Sequence, residues 1–228
     1  MTLISLIIPV FNNEFTLDEL YKRVVLSFNK LKLGYEIVFV DDASVDGSFA
    51  RLKELGETDP RVKIIRLKQN IGQSLAVFRA LDSCCGDIIA VIDADLQYSP
   101  EEIGRLLDKI GLGFDVVAGW RKDRKDAYFF RILPSAFVNA MARFKLNKEF
   151  NDIGCFFVAF KKDIAAQLKR RGRQARFLKP LLINIAPSFC EVEVSHHVRK
   201  RGRSQFSFVR MVGMCFDFMF NFSADLQN

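Results

Sequence analysis

The stretch VIDADLQYSP at residues 91–100 sets two carboxylates, Asp93 and Asp95, one residue apart at the end of an apolar run, Ile88 to Ile92. A lone D-x-D triplet is common wherever a strand gives way to a polar loop. Here it has company. Asn12, Asn13 and Glu14 follow the apolar run Ile4 to Val10, Asp41 and Asp42 follow Tyr35 to Val40, and Asn70 and Gly72 follow Val62 to Leu67. Carboxylates gathered at one place disfavour their joint ionisation. A hard divalent cation such as Mg²⁺, which takes carboxylate and phosphate oxygens together, relieves that repulsion. The pattern predicts a metal-assisted site for a phosphorylated ligand.

The elements that must position these groups alternate. Short runs rich in Ile and Val, ending with Asp115 to Ala118, predict strands covered on both faces. Between them, Leu17, Leu20, Tyr21, Val24, Val25, Phe28 and Leu31 recur at helical spacing. Thr16 with Glu19, and Ser99 with Glu102 around Pro100, predict capping boxes at two helix starts. A βαβ order implies a mainly parallel sheet with right-handed crossovers, and such sheets bind ligands outside the carboxyl ends of their strands. All four polar clusters fall at that edge.

Other classes are disfavoured. No G-x-G-x-x-G follows the first strand and no G-x-x-x-x-G-K-[ST] occurs, which argues against dinucleotide dehydrogenases and P-loop NTPases. A receiver-type phosphoacceptor domain also clusters aspartates but needs neither this length nor a basic second half. Five cysteines without C-x-x-C spacing argue for a reducing compartment and against zinc. The opening MTLISLIIPVFNNEF lacks a basic leader and breaks at Pro9, so the fold is expected to begin at Met1. Residues 1–118 carry net charge −5 and residues 119–228 carry +12. The second half therefore calls for an anionic neighbour, either a phosphorylated ligand or a membrane face. Nucleic acid is disfavoured, because the acidic edge would repel it.

SLIIPVFNNEFTLDEL, YEIVFVDDASVDGS, NIGQSLAVFRAL and GDIIAVIDADLQYSPEEI, taken in order, resemble the inverting family 2 glycosyltransferases of the GT-A fold. VVAGWRKDRKD, NDIGCFFVAF and SHHVRKRGRSQFSF look more narrowly like polyprenyl-phosphate sugar transferases, a group that includes dolichol-phosphate mannose synthases and undecaprenyl-phosphate aminoarabinose-type enzymes. The resemblance implies an α/β, Rossmann-like GT-A sheet flanked by helices. Its catalytic domain would span 1–204, divided into a nucleotide-sugar half (1–118) and a basic acceptor half (119–204), with an amphipathic, interfacial helix at 205–228. Similar transferases commonly continue from there into transmembrane helices.

Carried over by position, the resemblance implies that Pro9, Phe11, Asn12, Glu14, Asp41, Asp42, Gly72, Asp93 and Asp95 bind the nucleotide sugar. It implies that Asp93, Asp95 and Gln97 hold Mg²⁺ or Mn²⁺, and that Arg121, Arg131, Arg199 and Arg203 meet the acceptor phosphate. Arg121, Arg131 and Asp95 count among the catalytic groups. Asp152 reads either as a further catalytic carboxylate or as a loop cap. His196 and His197, adjacent on a predicted strand, would face opposite sides, with one approaching the acceptor or the pyrophosphate. Val158 and Ala80 depart from the family pattern, which commonly has arginine and glycine there.

The implied partners are a nucleotide-diphosphate sugar, polyprenyl phosphate, the cytoplasmic face of the inner membrane and a second copy of the chain. Two alternatives stay open, a saccharide hydroxyl acceptor and a non-catalytic nucleotide-sugar-binding module.

Overall fold

The computed structural model describes residues 2–122 and 133–198, with five further positions at 213, 217, 218, 221 and 222. The chain alternates β1 (Leu3–Val10), α1 (Leu17–Leu31), β2 (Gly34–Asp41), α2 (Ser48–Thr58), β3 (Val62–Arg66), α3 (Gln73–Ala80), β4 (Ile88–Val91), α4 (Ile103–Gly111) and β5 (Val116–Trp120). It continues through α5 (Leu133–Leu146), β6 (Val158–Lys161), α6 (Lys162–Arg170), α7 (Leu178–Ile185) and β7 (Phe189–Glu193). The described strands form one sheet in the order β3-β2-β1-β4-β6-β5-β7.

Pairing is parallel except at β6, which runs antiparallel to both β4 and β5. The mainly parallel expectation holds, with β6 and β7 added to the five predicted strands. The GT-A-like α/β class is therefore observed. Val158, where the resemblance led to the expectation of an arginine, lies in β6 opposite Val91 and is buried.

Strand periodicity divides the apolar runs between two cores. Ile4, Leu6, Ile8, Ile37 and Phe39 face a layer made by α1, α2 and α4, while Ile7, Val38, Val40, Ile89 and Val91 face α3, α5, α6 and α7. Burying each such side chain contributes roughly 1.5–3 kcal/mol. This three-layer sandwich fixes the strand ends, and the loops after β1, β2 and β4 inherit that rigidity. Phe218 and Phe222, from the stretch expected to form an interfacial helix, are buried against the second core and contact Phe177 edge-on. The remaining residues of the 205–228 stretch lie outside the described residues.

Candidate active site

The loops after β1 and β2 interlock. Asn12 N–H donates to Ser44 Oγ at 3.0 Å, Asn13 N–H to Ser48 Oγ at 2.8 Å, and Val45 N–H to Asn12 Oδ1 at 2.9 Å. Glu14 accepts from Gly47 N–H at 2.6 Å, so a Cβ on Gly47 would collide with that carboxylate. Asn12 and Glu14, expected to line a nucleotide pocket, thus use their side chains to join the two loops. Pro9 and Phe11 flank the same turn, with Phe11 N–H bonded to Asn13 Oδ1.

The four strand-end aspartates do not share a single role. Asp42 accepts from Ile71 N–H at 2.8 Å and Gly72 N–H at 2.9 Å, so two backbone donors compensate its charge. Gly72 has φ +88°, a conformation open to glycine and strained for other residues. Asp41 is fully buried; its Oδ1 accepts from Ser44 N–H, and its Oδ2 has Arg66 Nε at 3.4 Å but no hydrogen bond. The repulsion inferred from sequence is therefore met in part by local donors. Next to Asp41 lies an open depression of about 470 Å³ lined by Ala43, Ser44, Val45, Arg66, Leu67 and Lys68.

Asp93 and Asp95 are not in that lining, and the link between the two groups runs through the turn at 71–73. Gln73, directly after the Gly72 that Asp42 holds, donates its amide to Asp93 Oδ1. Asp95 is buried and accepts from Gln97 N–H at 3.1 Å. Leu96 between them takes φ +59°, and Ala43 and Asn12 in the neighbouring loops take +59° and +55°. Left-handed backbone at three non-glycine positions stores strain along this one edge.

Among the described residues, no three His, Cys, Asp or Glu side chains form a closed metal cage. Two carboxylates and one amide oxygen make an open, all-oxygen set, which suits a cation that must also take phosphate oxygens. By donor type, the side chains of Asp93, Asp95 and Gln97 suit such an ion.

A strap from the far end of the chain closes over this loop. His197 N–H donates to Gln97 O at 2.9 Å, His197 Nε2 lies 2.9 Å from Ser99 Oγ, and His196 Nε2 lies 3.2 Å from Gln97 Nε2. Glu102 accepts from Ser195 N–H at 2.9 Å. This corrects two expectations. The histidines lie beyond the end of β7 and address the same loop, and Ser99 and Glu102 bind the strap instead of forming a capping box. Thr16 likewise caps nothing with its side chain, and its Oγ1 reaches Ala94 O at 2.7 Å.

In the half expected to meet the acceptor, Arg121 and Asp152 form a buried two-pronged pair. Nε to Oδ2 is 2.6 Å and Nη2 to Oδ1 is 2.8 Å, with 10% and 4% of the side chains exposed. Burial works against the guanidinium charge, yet the bonds to Asp152 hold its pKa above the ordinary arginine value. Gly154 permits this approach, because a Cβ there would stand 3.1 Å from Arg121 Nη2. Arg131, Arg199 and Arg203 lie outside the described residues.

Sequence reasoning passed over Lys179 and Glu191. Lys179 Nζ donates to Asp152 O and, at 3.3 Å, to Gly119 O; Glu191 accepts from Asp152 N–H at 3.2 Å and Asn151 N–H at 2.5 Å. The available signal was a single lysine inside the apolar run LKPLLINIA and two glutamates, Glu191 and Glu193, alternating with apolar residues in FCEVEV.

The family model for glycosyl transferase family 2 matches residues 5–168, which takes in every loop described above except the strap and the Lys179–Glu191 pair. The chain belongs to glycosyl transferase family 2. It is 34% identical over 217 residues to the undecaprenyl-phosphate 4-deoxy-4-formamido-L-arabinose transferases of Pseudomonas fluorescens and Proteus mirabilis, covering 95% of this chain in each case. The chain spans 63% and 66% of the length of those two relatives. Among solved structures, glucosyl-3-phosphoglycerate synthase from Mycobacterium tuberculosis, in complex with Mn²⁺, UDP-glucose and phosphoglyceric acid, shares the fold. Its TM-score is 0.63 at 17% identity, over 96% of this chain and 77% of that one.

Proposed function

We propose that this glycosyltransferase moves one sugar, with inversion, from a nucleotide-diphosphate sugar to a polyprenyl phosphate at the cytoplasmic face of the membrane. Asp93, Asp95 and Gln97 would hold Mg²⁺ or Mn²⁺, which supplies positive charge to the departing diphosphate. The depression lined by Ala43, Ser44, Val45, Arg66, Leu67 and Lys68 takes the nucleobase, with Ser44, Arg66 and Lys68 as the polar residues of its wall. Residues 11–14, 43–48 and 71–73 hold that pocket in shape through the bonds already described.

The observation that carries the acceptor assignment is the pair between Asp152 and Arg121. A carboxylate engaged on both oxygens by one guanidinium is poorly placed to take a proton from a sugar hydroxyl. An anionic phosphate oxygen needs no such base. It attacks the anomeric carbon as the bond from that carbon to the diphosphate oxygen breaks. Arg121 then offers the anionic reactants the guanidinium N–H groups that Asp152 leaves free, with Arg131, Arg199 and Arg203 as further contacts to the acceptor phosphate. The names of the relatives support the same acceptor class.

The test is a panel of UDP-, GDP- and dTDP-sugars offered with undecaprenyl phosphate and Mn²⁺, with the lipid product read by mass. Addition of one glycosyl mass to the lipid phosphate is expected. Transfer to a saccharide alcohol, with none to the lipid, would reject the assignment.

A further inference from the structure

We propose that Lys179 and Glu191 are positioning residues for the acceptor side, gripping the Asp152 backbone from both directions so that its carboxylate keeps Arg121 in place; this rests on the function proposed above. Lys179 is 2% exposed, and its ammonium lies 3.9 Å from Glu191 Oε1, with side-chain exposures of 3% and 6%. It comes from α7, Glu191 from β7, Arg121 from the end of β5 and Asp152 from the loop before β6. Three elements thus converge on the loop that carries Asp152.

Lys179 donates to the carbonyl of Asp152 while Glu191 accepts from its N–H, so both peptide units around Asp152 are fixed. The Asp152 carboxylate also accepts from the backbone N–H of Arg121, just after β5, and from that of Gly154 in its own turn. Two positive and two negative charges are therefore buried together.

Stability alone does not account for such a cluster, since well-packed apolar side chains of equal volume commonly do as well or better than a buried ion pair. Lys179 and Glu191 lie in the apolar surroundings of α7 and β7, where methionine or leucine would pack without desolvating a charge. What the charged pair provides is a fixed position for Asp152 and, through it, for the guanidinium proposed to meet the acceptor. Supporting shells of this kind set whether a reacting group is held closely enough to work.

The experiment compares wild type with K179M/E191Q, which removes both charges together and leaves neither uncompensated. Two quantities are read, exchange of the Arg121 Nε–H with solvent by ¹H–¹⁵N NMR and the split between kcat and donor KM. The positioning role predicts exchange faster by at least about tenfold as the Arg121–Asp152 bonds loosen locally. It also predicts a kcat loss of about 100-fold with donor KM unchanged. Unchanged Arg121 exchange would overturn the proposal, as would a loss of activity that only tracks the fraction unfolded in urea. Glu191→Gln alone, which keeps shape and an acceptor oxygen, is read in the same two ways should the double variant fail to fold. If wild type itself transfers nothing to polyprenyl phosphate, the proposed function fails, while the exchange comparison still decides the role of Lys179 and Glu191.

Discussion

At the scale of single residues, the Arg121–Asp152 pair shows how little charge counting says about role. Both residues read from sequence as candidate catalytic groups, and in the fold each is the other's main partner. Arg121→Met would remove the two-pronged partner of Asp152 and leave two buried carboxylates beside the single positive charge of Lys179, at a cost of about 3–5 kcal/mol. Urea unfolding checks this, and a loss below about 1 kcal/mol, the scale of an exposed pair, would contradict it. Asp59 offers a test by pH. Arg61 grips its carboxylate with two side-chain bonds, Tyr21 adds a third, and the group titrates at about 2 instead of 3.8. Because the folded pKa is depressed, the stabilisation is present above the unfolded value and is lost as pH falls from near 3.8 towards 2. The urea midpoint of wild type should therefore exceed that of Asp59→Asn near neutrality and converge with it at about pH 2. A constant difference across that range would contradict the assignment.

At the scale of elements, the five strands of the first half were legible because doubly covered strands write unbroken Ile and Val runs, and the helix between the first two writes a 3.6-residue stripe. Two strands were not legible. β6 is four residues long and emerges from the continuous apolar stretch CFFVAF, where no turn residue marks its start. Its antiparallel place between β4 and β5 is a tertiary choice that no local period encodes. The capping boxes failed for a related reason. Thr16 and Ser99 have the right neighbours for local caps, yet partners 78 and 98 residues away claim their oxygens. Thr16→Val should therefore cost about 1–3 kcal/mol, since it leaves the Ala94 carbonyl buried without its donor, and it should loosen the Asp93–Asp95 turn. Hydrogen exchange faster at residues 94–97 than in the distant α6 checks this; uniform change would point to general destabilisation alone.

At the scale of the whole molecule, the acidic first half supplies the strand-end edge, and the basic second half is the part proposed to meet the acceptor. The site was legible as a place, at the carboxyl ends of the strands, but its division of labour was not. Sequence shows that Asp41, Asp42, Asp93 and Asp95 are acidic; it does not show that Ile71 and Gly72 turn their N–H groups toward Asp42. If the basic half meets a membrane, binding to vesicles containing anionic phospholipid should weaken between about 0.1 M and about 1 M salt, as the screening length falls from about 10 Å to about 3 Å. Equal binding to neutral vesicles at both salts would contradict that placement. The most direct measurement of the central claim is a titration of Mn²⁺ by electron paramagnetic resonance, with a nucleoside diphosphate present, on wild type and Asp95→Asn. One ion per chain is expected in wild type, with affinity reduced at least about tenfold in the variant, as expected when part of a metal's support is removed. Equal Mn²⁺ binding by the two proteins would contradict it.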